Sequence, residues 1–272
     1  MWPKYIGRKY LVVLALLGSV SCTVKEQGWQ LMGQIDLGTV TPIGLTKSGD
    51  HLWIADGDHN RIVSITLTGE VSQSIDGFDR PMHLTHQNGV LYIPEYGSDR
   101  IIQFENGVQT VLALPDSLDA PAGVAVVGEE IAIADFYHHR ILFYNGADWL
   151  SFGKEGKGKG ELYYPTDVSI GADKIWVADA YNNRIQVFDK EGRAIQIIGE
   201  AEKMNAATGI YSNAEAVLIT DFENDRVLIY NHEGKLLEVL SEGINKPTDL
   251  LIEEEVLYIA NYKGKNILKW KK

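Results

Sequence analysis

The stretch WVADAYNNRIQVFD, residues 176–189, is the clearest copy of the pattern that decides the fold of this chain. An apolar run at 176–178 leads into a polar turn, and a second apolar run follows at 185–188. Short runs of β-branched and aromatic residues on either side of Asn and Asp indicate two strands joined by a tight turn. The stretch therefore predicts a β-hairpin.

Five further stretches repeat this hairpin, starting at residues 52, 91, 131, 217 and 257. A shorter apolar run precedes each copy and begins at a proline, except in the fifth copy, where Ala207 takes that place. The basic or amide residue after each turn recurs at spacings of 39, 40, 44, 42 and 40 residues. A period near 40 with several short strands per unit is typical of a β-propeller. We therefore predict an all-β, six-bladed β-propeller of four-stranded blades.

The last copy ends at Lys272, directly after its third strand, so the sixth blade lacks an outer strand of its own. The stretch GWQLMGQIDLG at 28–38 matches the pattern of the outer strand at 234–243. Residues 29–37 are therefore predicted to complete the last blade, which would leave 29–272 as the propeller and 23–28 as a short tether. Such closure removes two open sheet edges that would otherwise invite aggregation.

The phrases FGKEGKGKGELYYPTDV (152–168) and WVADAYNNRIQVFD resemble NHL repeats, and the similarity extends over about residues 29–272. It is strongest in the fourth unit and weaker in the second and sixth, where Pro94-Glu95 and Asn261 stand in place of the usual Ala-Asp. The resemblance implies a six-bladed propeller, in agreement with the repeat count.

The first 22 residues have the pattern of an export signal. Lys4, Arg8 and Lys9 precede an apolar run at 11–17, and small residues lead to Cys22. Seven apolar residues are too few to span a bilayer but fit a signal peptide. A signal peptide is therefore predicted over 1–22.

Cys22, the single cysteine, resembles the lipidated cysteine of bacterial lipoproteins. That motif usually has Leu three residues before the cysteine, whereas Ser19 stands here, and an ordinary signal peptidase could cut the same bond. We expect lipidation of Cys22 and attachment to the bacterial cell envelope, with Thr23 favouring the outer membrane. The alternative is a periplasmic or secreted protein.

The charge of the exported part restricts its partners. The whole chain carries −12, and residues 1–22 contribute three bases and no acid, so residues 23–272 carry −15. A field of that sign repels nucleic acid and anionic lipid. We expect a monomer that binds no nucleic acid and meets the membrane through a lipid anchor only.

An acidic residue lies five positions before an arginine in five of the six units. A ring of carboxylates could bind a cation, but an acid across a tight hairpin can also accept turn N–H groups and pair with the arginine. We favour the structural pairing because the sixth unit, with Asn261 and Asn266, lacks both partners together. The pairs are Asp56 with Arg61, Glu95 with Arg100, Asp135 with Arg140, Asp179 with Arg184 and Asp221 with Arg226.

The position two residues after each proline, or after Ala207, should face the mouth of the central channel on the side of the hairpin turns. It is occupied in turn by Gly44, His83, Gly123, Asp167, Gly209 and Asp249. An imidazole and two carboxylates could bind Zn²⁺ or Ca²⁺, or act as base and acid. Because these three come from blades two, four and six, we expect them to be too far apart for a shared ion and to form polar groups at a channel rim. No cofactor is predicted beyond that possible metal.

Aromatic residues follow the acidic position in most units. Such residues on one propeller face suit recognition of a peptide, a sugar or an apolar partner, but they could equally pack between blades. They are Tyr96, Phe136, Tyr137, Tyr181, Phe222 and Tyr262.

No strong catalytic motif occurs, so the sequence favours a non-enzymatic, envelope-anchored module that binds a protein, peptide or glycan through this face. The alternative is a metal-dependent lyase or lactonase-like hydrolase with its site at the channel mouth, because propellers similar to NHL domains include such enzymes. The resemblance also raises RNA binding, known for some animal NHL domains, but the negative charge argues against it. A propeller fold cannot choose between binding and catalysis.

Overall fold

The computed structural model describes Met1 and residues 28–272. The predicted signal peptide, Cys22 and nearly all of the tether lie outside the described residues. Those residues form 24 strands in six four-stranded antiparallel sheets, which confirms the predicted six-bladed β-propeller. Within this part of the chain there is no helix with the length and hydrophobicity of a membrane span.

Each blade runs from an inner strand at the channel, called A, through B and C to an outer strand D. Strand β1 (Gln30–Asp36) belongs to the last blade. Blade 1 contains β2 (Gly44–Ser48), β3 (His51–Asp56), β4 (Arg61–Thr66) and β5 (Val71–Asp76). Blade 2 contains β6 (Thr85–Gln87), β7 (Val90–Glu95), β8 (Arg100–Glu105) and β9 (Val108–Val111). Blade 3 contains β10 (Pro121–Val127), β11 (Glu130–Asp135), β12 (Arg140–Tyr144) and β13 (Trp149–Phe152).

Blade 4 contains β14 (Pro165–Ile170), β15 (Lys174–Asp179), β16 (Arg184–Asp189) and β17 (Ala194–Ile198). Blade 5 contains β18 (Ala207–Ser212), β19 (Val217–Asp221), β20 (Arg226–Tyr230) and β21 (Leu236–Leu240). Blade 6 contains β22 (Pro247–Glu253), β23 (Val256–Asn261) and β24 (Asn266–Lys271). Single-turn 3₁₀ helices occupy three of the B–C turns, at Gly57–His59, Ala180–Asn182 and Phe222–Asn224 within the described residues.

Strand β1 closes the ring as the fourth strand of blade 6. It pairs antiparallel with β24, in a register from Gln30 opposite Lys271 to Asp36 opposite Asn266, with a bulge between Leu31 and Gly33. The predicted closing strand at 29–37 is thus confirmed, with one residue fewer at each end.

The core lies between the blades. Strand side chains alternate in direction, so each blade presents one apolar face to each neighbour. In β3, Leu52 and Ile54 pack toward blade 6, whereas Trp53 and Ala55 pack toward blade 2. Six such interblade clusters encircle the channel within the described residues.

Blade 2 departs from the repeat at its inner strand. Pro94 in β7 has no N–H to donate, so the A–B ladder is interrupted and β6 is only three residues long. His83 pairs instead with blade 3, where its N–H donates to the Ala122 carbonyl and its carbonyl accepts from Val124 N–H. The second repeat, which is weak in the sequence, is thus also the blade with a shortened inner strand at the channel.

Candidate channel site

The inner strands approach one another so closely that alternate blades require glycine at the channel position. A Cβ added to any of these three glycines would lie 2.3 to 2.9 Å from backbone atoms of the next blade, too close for real atoms. The glycines, Gly44, Gly123 and Gly209, precede the blades that contribute His83, Asp167 and Asp249. Because these glycines have no side chains, the inner strands can approach closely, and the narrow channel still has room for the three polar side chains.

His83, Asp167 and Asp249 meet in the centre of the channel. Their ligating atoms all lie within 4.8 Å of one another, and the residues are only 4%, 5% and 5% exposed. His83 Nδ1 is 3.5 Å from Asp249 Oδ2 and 3.8 Å from Asp167 Oδ2. The expectation that residues from blades two, four and six would be too far apart was wrong, because the glycines bring the six strands together. Because the three residues are buried, they are not solvated polar groups at the rim of the channel.

Backbone hydrogen bonds orient both carboxylates. Asp167 Oδ1 accepts from its own neighbour, Val168 N–H, and Oδ2 accepts from Ile210 N–H in blade 5, both at 2.9 Å. In the same way, Asp249 accepts from Leu250 at 2.8 Å and from Leu45 in blade 1 at 2.7 Å. Each carboxylate therefore ties its blade to the next one while its remaining lone pairs stay available.

His83 contributes an unsatisfied polar atom. Its Nδ1 is buried and has no hydrogen-bond partner among the described residues. A buried polar group without a partner costs about 1–3 kcal/mol. Nδ1 therefore marks a place where an additional atom between the imidazole and the two carboxylates would be stabilising.

The cluster also shifts the ionisation of its members. Burial disfavours the imidazolium of His83, but the nearby negative charges of Asp167 and Asp249 outweigh burial and raise its pKa. Burial raises the pKa of Asp167 to about 7, with His83 opposing the shift and Asp249 adding to it. Without a cation, the cluster therefore retains protons near neutral pH.

A cavity of about 310 Å³ leads to these three residues. Its walls come from the inner strands at and after the cluster position, and include the polar residues Thr46, Thr85, Ser169 and Ser212. Since these strands run away from the B–C turns, the cavity extends toward the A–B turns. We call the face with the B–C turns the upper face. The sequence predicted that the three residues line the channel mouth on this face, whereas the cavity reaches them from the opposite, lower face.

The five acid–arginine pairs lie in the B–C hairpins. In each, the arginine Nε donates to one carboxylate oxygen, at 2.6 to 2.8 Å in four pairs, and Arg100 contacts Glu95 in the same way. The other oxygen accepts a backbone N–H at 2.7 to 3.1 Å from the loop before the inner strand. In blades 4 and 5 this oxygen also accepts, as expected, an N–H of the turn, from Asn182 and Asn224 Nδ2 at 3.1 Å. The acids, all fully buried, therefore anchor the D–A loops.

In blade 6 an amide pair takes the place of the acid–arginine pair. Asn261 Nδ2 donates to Asn266 Oδ1 at 2.9 Å, and Asn261 Oδ1 accepts from Asn245 N–H.

A second set of residues, which the sequence analysis missed, also anchors the D–A loops. Each is the last residue of the B–C turn in blades 1 to 5 and has a left-handed backbone conformation. Its side chain accepts an N–H at 2.7 to 3.0 Å from the loop entering the next blade. These residues are Asn60, Asp99, His139, Asn183 and Asp225.

On the upper face, four of the predicted aromatic residues form one cluster. Phe136 contacts the rings of Tyr96, Tyr137 and Tyr181 at centroid distances of 5.6, 5.0 and 6.1 Å. Tyr164 stacks on Phe136 at 4.8 Å, which sequence reasoning missed although this tyrosine directly precedes the blade-4 proline. Tyr137 and Tyr181 are 47% and 61% exposed.

The other two aromatic residues do not join this cluster. Phe222 and Tyr262 form a separate pair, 6.3 Å apart. Lys246 lies 5.6 Å from the Phe222 ring and Lys263 lies 5.0 Å from the Tyr262 ring. The six predicted aromatic residues therefore form two groups of unequal size.

Comparisons with known proteins are consistent with the repeat and the fold. Residues 162–188, in blade 4, match the NHL repeat. A segment of 47 residues is 49% identical to protein lin-41 of Caenorhabditis elegans, and the match covers 17% of this chain and 4% of lin-41. The chain thus spans a small fraction of that relative's length.

Solved structures match over nearly the whole chain. A virginiamycin B lyase from Staphylococcus aureus aligns with a TM-score of 0.66 at 17% identity, covering 90% of this chain and all of the lyase. A gluconolactonase from Xanthomonas campestris aligns with a TM-score of 0.72 at 13% identity, covering 88% of each chain. At these identities the likeness shows a shared propeller fold, and the chain carries an NHL repeat within it.

Proposed function

We propose that the channel binds one divalent cation between His83, Asp167 and Asp249, and that this cation serves a metal-dependent lyase or lactonase-like hydrolase. The observation that carries the proposal is the meeting of three buried ligating groups within 4.8 Å, one of them a partnerless His83 Nδ1. Propellers of similar fold include a lyase and a gluconolactonase, so the fold is compatible with both lyase and lactonase activity.

The spacing supports a shared ion. Two ligands that meet at a tetrahedral angle on bonds of about 2.1 to 2.3 Å lie about 3.4 to 3.8 Å apart. His83 Nδ1 lies 3.5 and 3.8 Å from the nearer oxygens of Asp249 and Asp167. These bond lengths overlap the upper part of the Zn²⁺ range, about 2.0–2.2 Å, and reach the lower limit of the Ca²⁺ range, about 2.3 Å. Either ion would neutralise the negative charge of the two carboxylates.

The rest of the site supports a role beyond metal storage. A divalent cation held there would polarise a carbonyl oxygen or lower the pKa of a bound water, and either effect would assist the proposed reactions. The cavity ends at the three ligands, and Thr46, Thr85, Ser169 and Ser212 place hydroxyl groups along its wall. Its 310 Å³ volume suits a small polar substrate such as a lactone.

The test is a titration of the chelator-treated protein with Zn²⁺ and Ca²⁺ by calorimetry. We expect one ion per chain, with affinity reduced at least about a hundredfold in Asp167→Asn and His83→Gln. Asp173→Asn, an exposed acid in the same blade, should bind as the wild type does. Absence of a saturable site, or equal affinity in Asp167→Asn and wild type, would refute the proposal. If an ion binds but activates neither hydrolysis of gluconolactone nor cleavage of virginiamycin B, the metal site stands and only the proposed enzymatic function is refuted.

A second function is supported by the upper-face aromatic cluster: recognition of a protein, peptide or glycan. Exposed aromatic rings held by neighbouring rings offer a large, rigid contact area. Tyr137→Ala and Tyr181→Ala should each lose ligands detected on glycan or peptide arrays. Leu237→Ala, at an exposed apolar residue of blade 5, is the control. Equal loss of ligands in the control would argue against a site at the cluster.

Export and lipid anchoring through Cys22 are proposed from the sequence pattern alone. Radiolabelled palmitate should enter the wild-type protein in a bacterial host and not Cys22→Ser. Equal labelling of the two proteins would contradict the anchor.

A further inference from the structure

A serine and a histidine meet outside the channel, between blades 1 and 2. Ser48 ends β2 and His86 lies in β6, so both come from inner strands close to the A–B turns. Ser48 Oγ is 3.1 Å from His86 Nε2. This separation is within the range for a nucleophile and its general base. Neither residue belongs to the channel cavity or to the acid–arginine pairs.

The environment suits His86 to the role of a base. Burial lowers its pKa, against a smaller contribution from a hydrogen bond to the Lys47 backbone. The ring is therefore neutral at pH 7 and able to accept a proton from the serine.

A second cavity, of about 330 Å³, is lined by both residues. Trp53, Leu91 and Phe104 form its apolar wall, and Gln73 and Asn106 supply amide groups. The Trp53 and Phe104 rings are 6.3 Å apart in a tilted arrangement. An apolar wall with a few polar groups suits a small ester whose acyl group is aromatic or aliphatic.

We infer that Ser48 and His86 form a dyad for acyl transfer from small carboxylic esters. Ser48 Oγ attacks the ester carbonyl carbon while its proton passes to His86 Nε2. The bond from carbon to the leaving oxygen then breaks, and the imidazolium returns the proton to the departing alkoxide, which leaves as an alcohol. A water molecule, deprotonated by His86, cleaves the acyl-serine in the same two steps and releases the carboxylic acid.

The experiment uses a fluorophosphonate probe on the full chain, with mass spectrometry to locate the adduct. The serine oxygen forms a bond to phosphorus, and fluoride leaves. We expect one adduct per chain on Ser48, none on Ser48→Ala, and labelling of His86→Asn at least about a hundredfold slower than that of the wild type. Ser74→Ala, at an exposed serine of the same blade, should be labelled at the wild-type rate.

Chelator should leave labelling unchanged, because the dyad needs no metal, whereas it would abolish any channel reaction. Since the adduct is located in the wild-type protein, the result does not depend on the folding of a variant. An unlabelled protein, an adduct at another residue, or equal rates for His86→Asn and wild type would overturn the inference.

Discussion

Replacement of Gly123 by alanine tests the geometry that creates the channel site. The added Cβ would lie 2.9 Å from both Asp167 Cα and the Thr166 carbonyl oxygen, and 2.6 Å from Asp167 Oδ1. Two of these atoms are backbone, so a side-chain rotation cannot relieve the contact. Overpacking of this kind costs about 1–3 kcal/mol. In a protein of this size the loss corresponds to a decrease in melting temperature of about 2–12 °C.

Calorimetric melting of Gly123→Ala beside Gly171→Ala separates this effect from a general cost of alanine. A Cβ at Gly171 would have its nearest contacts at 3.4 Å, ordinary van der Waals distance. That variant should remain within about 0.5 kcal/mol of the wild type. Gly123→Ala should also bind Zn²⁺ more weakly, because Asp167 must move. A Gly123→Ala protein as stable as Gly171→Ala would refute the close approach of the inner strands.

Three further predictions concern stability. The folded-state pKa of Asp167 is raised from 3.8 to about 7, so the metal-free protein should lose stability as pH rises through this interval. The Asp167→Asn variant should show a weaker dependence of stability on pH. A wild-type melting temperature that rises from pH 5 to 7 would contradict this prediction. Arg184→Ala leaves Asp179 buried without its cation and should cost about 3–5 kcal/mol in urea unfolding, whereas less than 1 kcal/mol would contradict a buried pair. Ile35→Ala removes a buried side chain of the closing strand and should cost about 2–5 kcal/mol, and a loss no greater than that of the exposed Met32→Ala would contradict closure.

The repeat allowed the fold to be predicted because each hairpin carries its own local signals. Alternating apolar residues, turn residues and a period near 40 point to the same architecture. The missing outer strand of blade 6 indicated which segment closes the ring. One local departure, the short inner strand of blade 2, follows from Pro94. The proline is visible in the sequence, but its effect depends on the strand that pairs with it.

The site was less predictable because it depends on distances across the ring. The sequence placed His83, Asp167 and Asp249 at equivalent positions, but the width of the channel follows from how closely the alternate glycines let the backbones approach. The contact between Ser48 and His86 is likewise formed by neighbouring blades, 38 residues apart in sequence. Repeat alignment shows which residues are equivalent, and packing determines which of them meet.

The most direct test of the channel site is an anomalous difference map from crystals of the protein grown with Zn²⁺. The proposed centre predicts a peak about 2.0–2.2 Å from His83 Nδ1 and from one oxygen each of Asp167 and Asp249. A channel without such a peak at saturating Zn²⁺ would contradict the proposed metal centre and leave the three residues as a proton-sharing structural cluster.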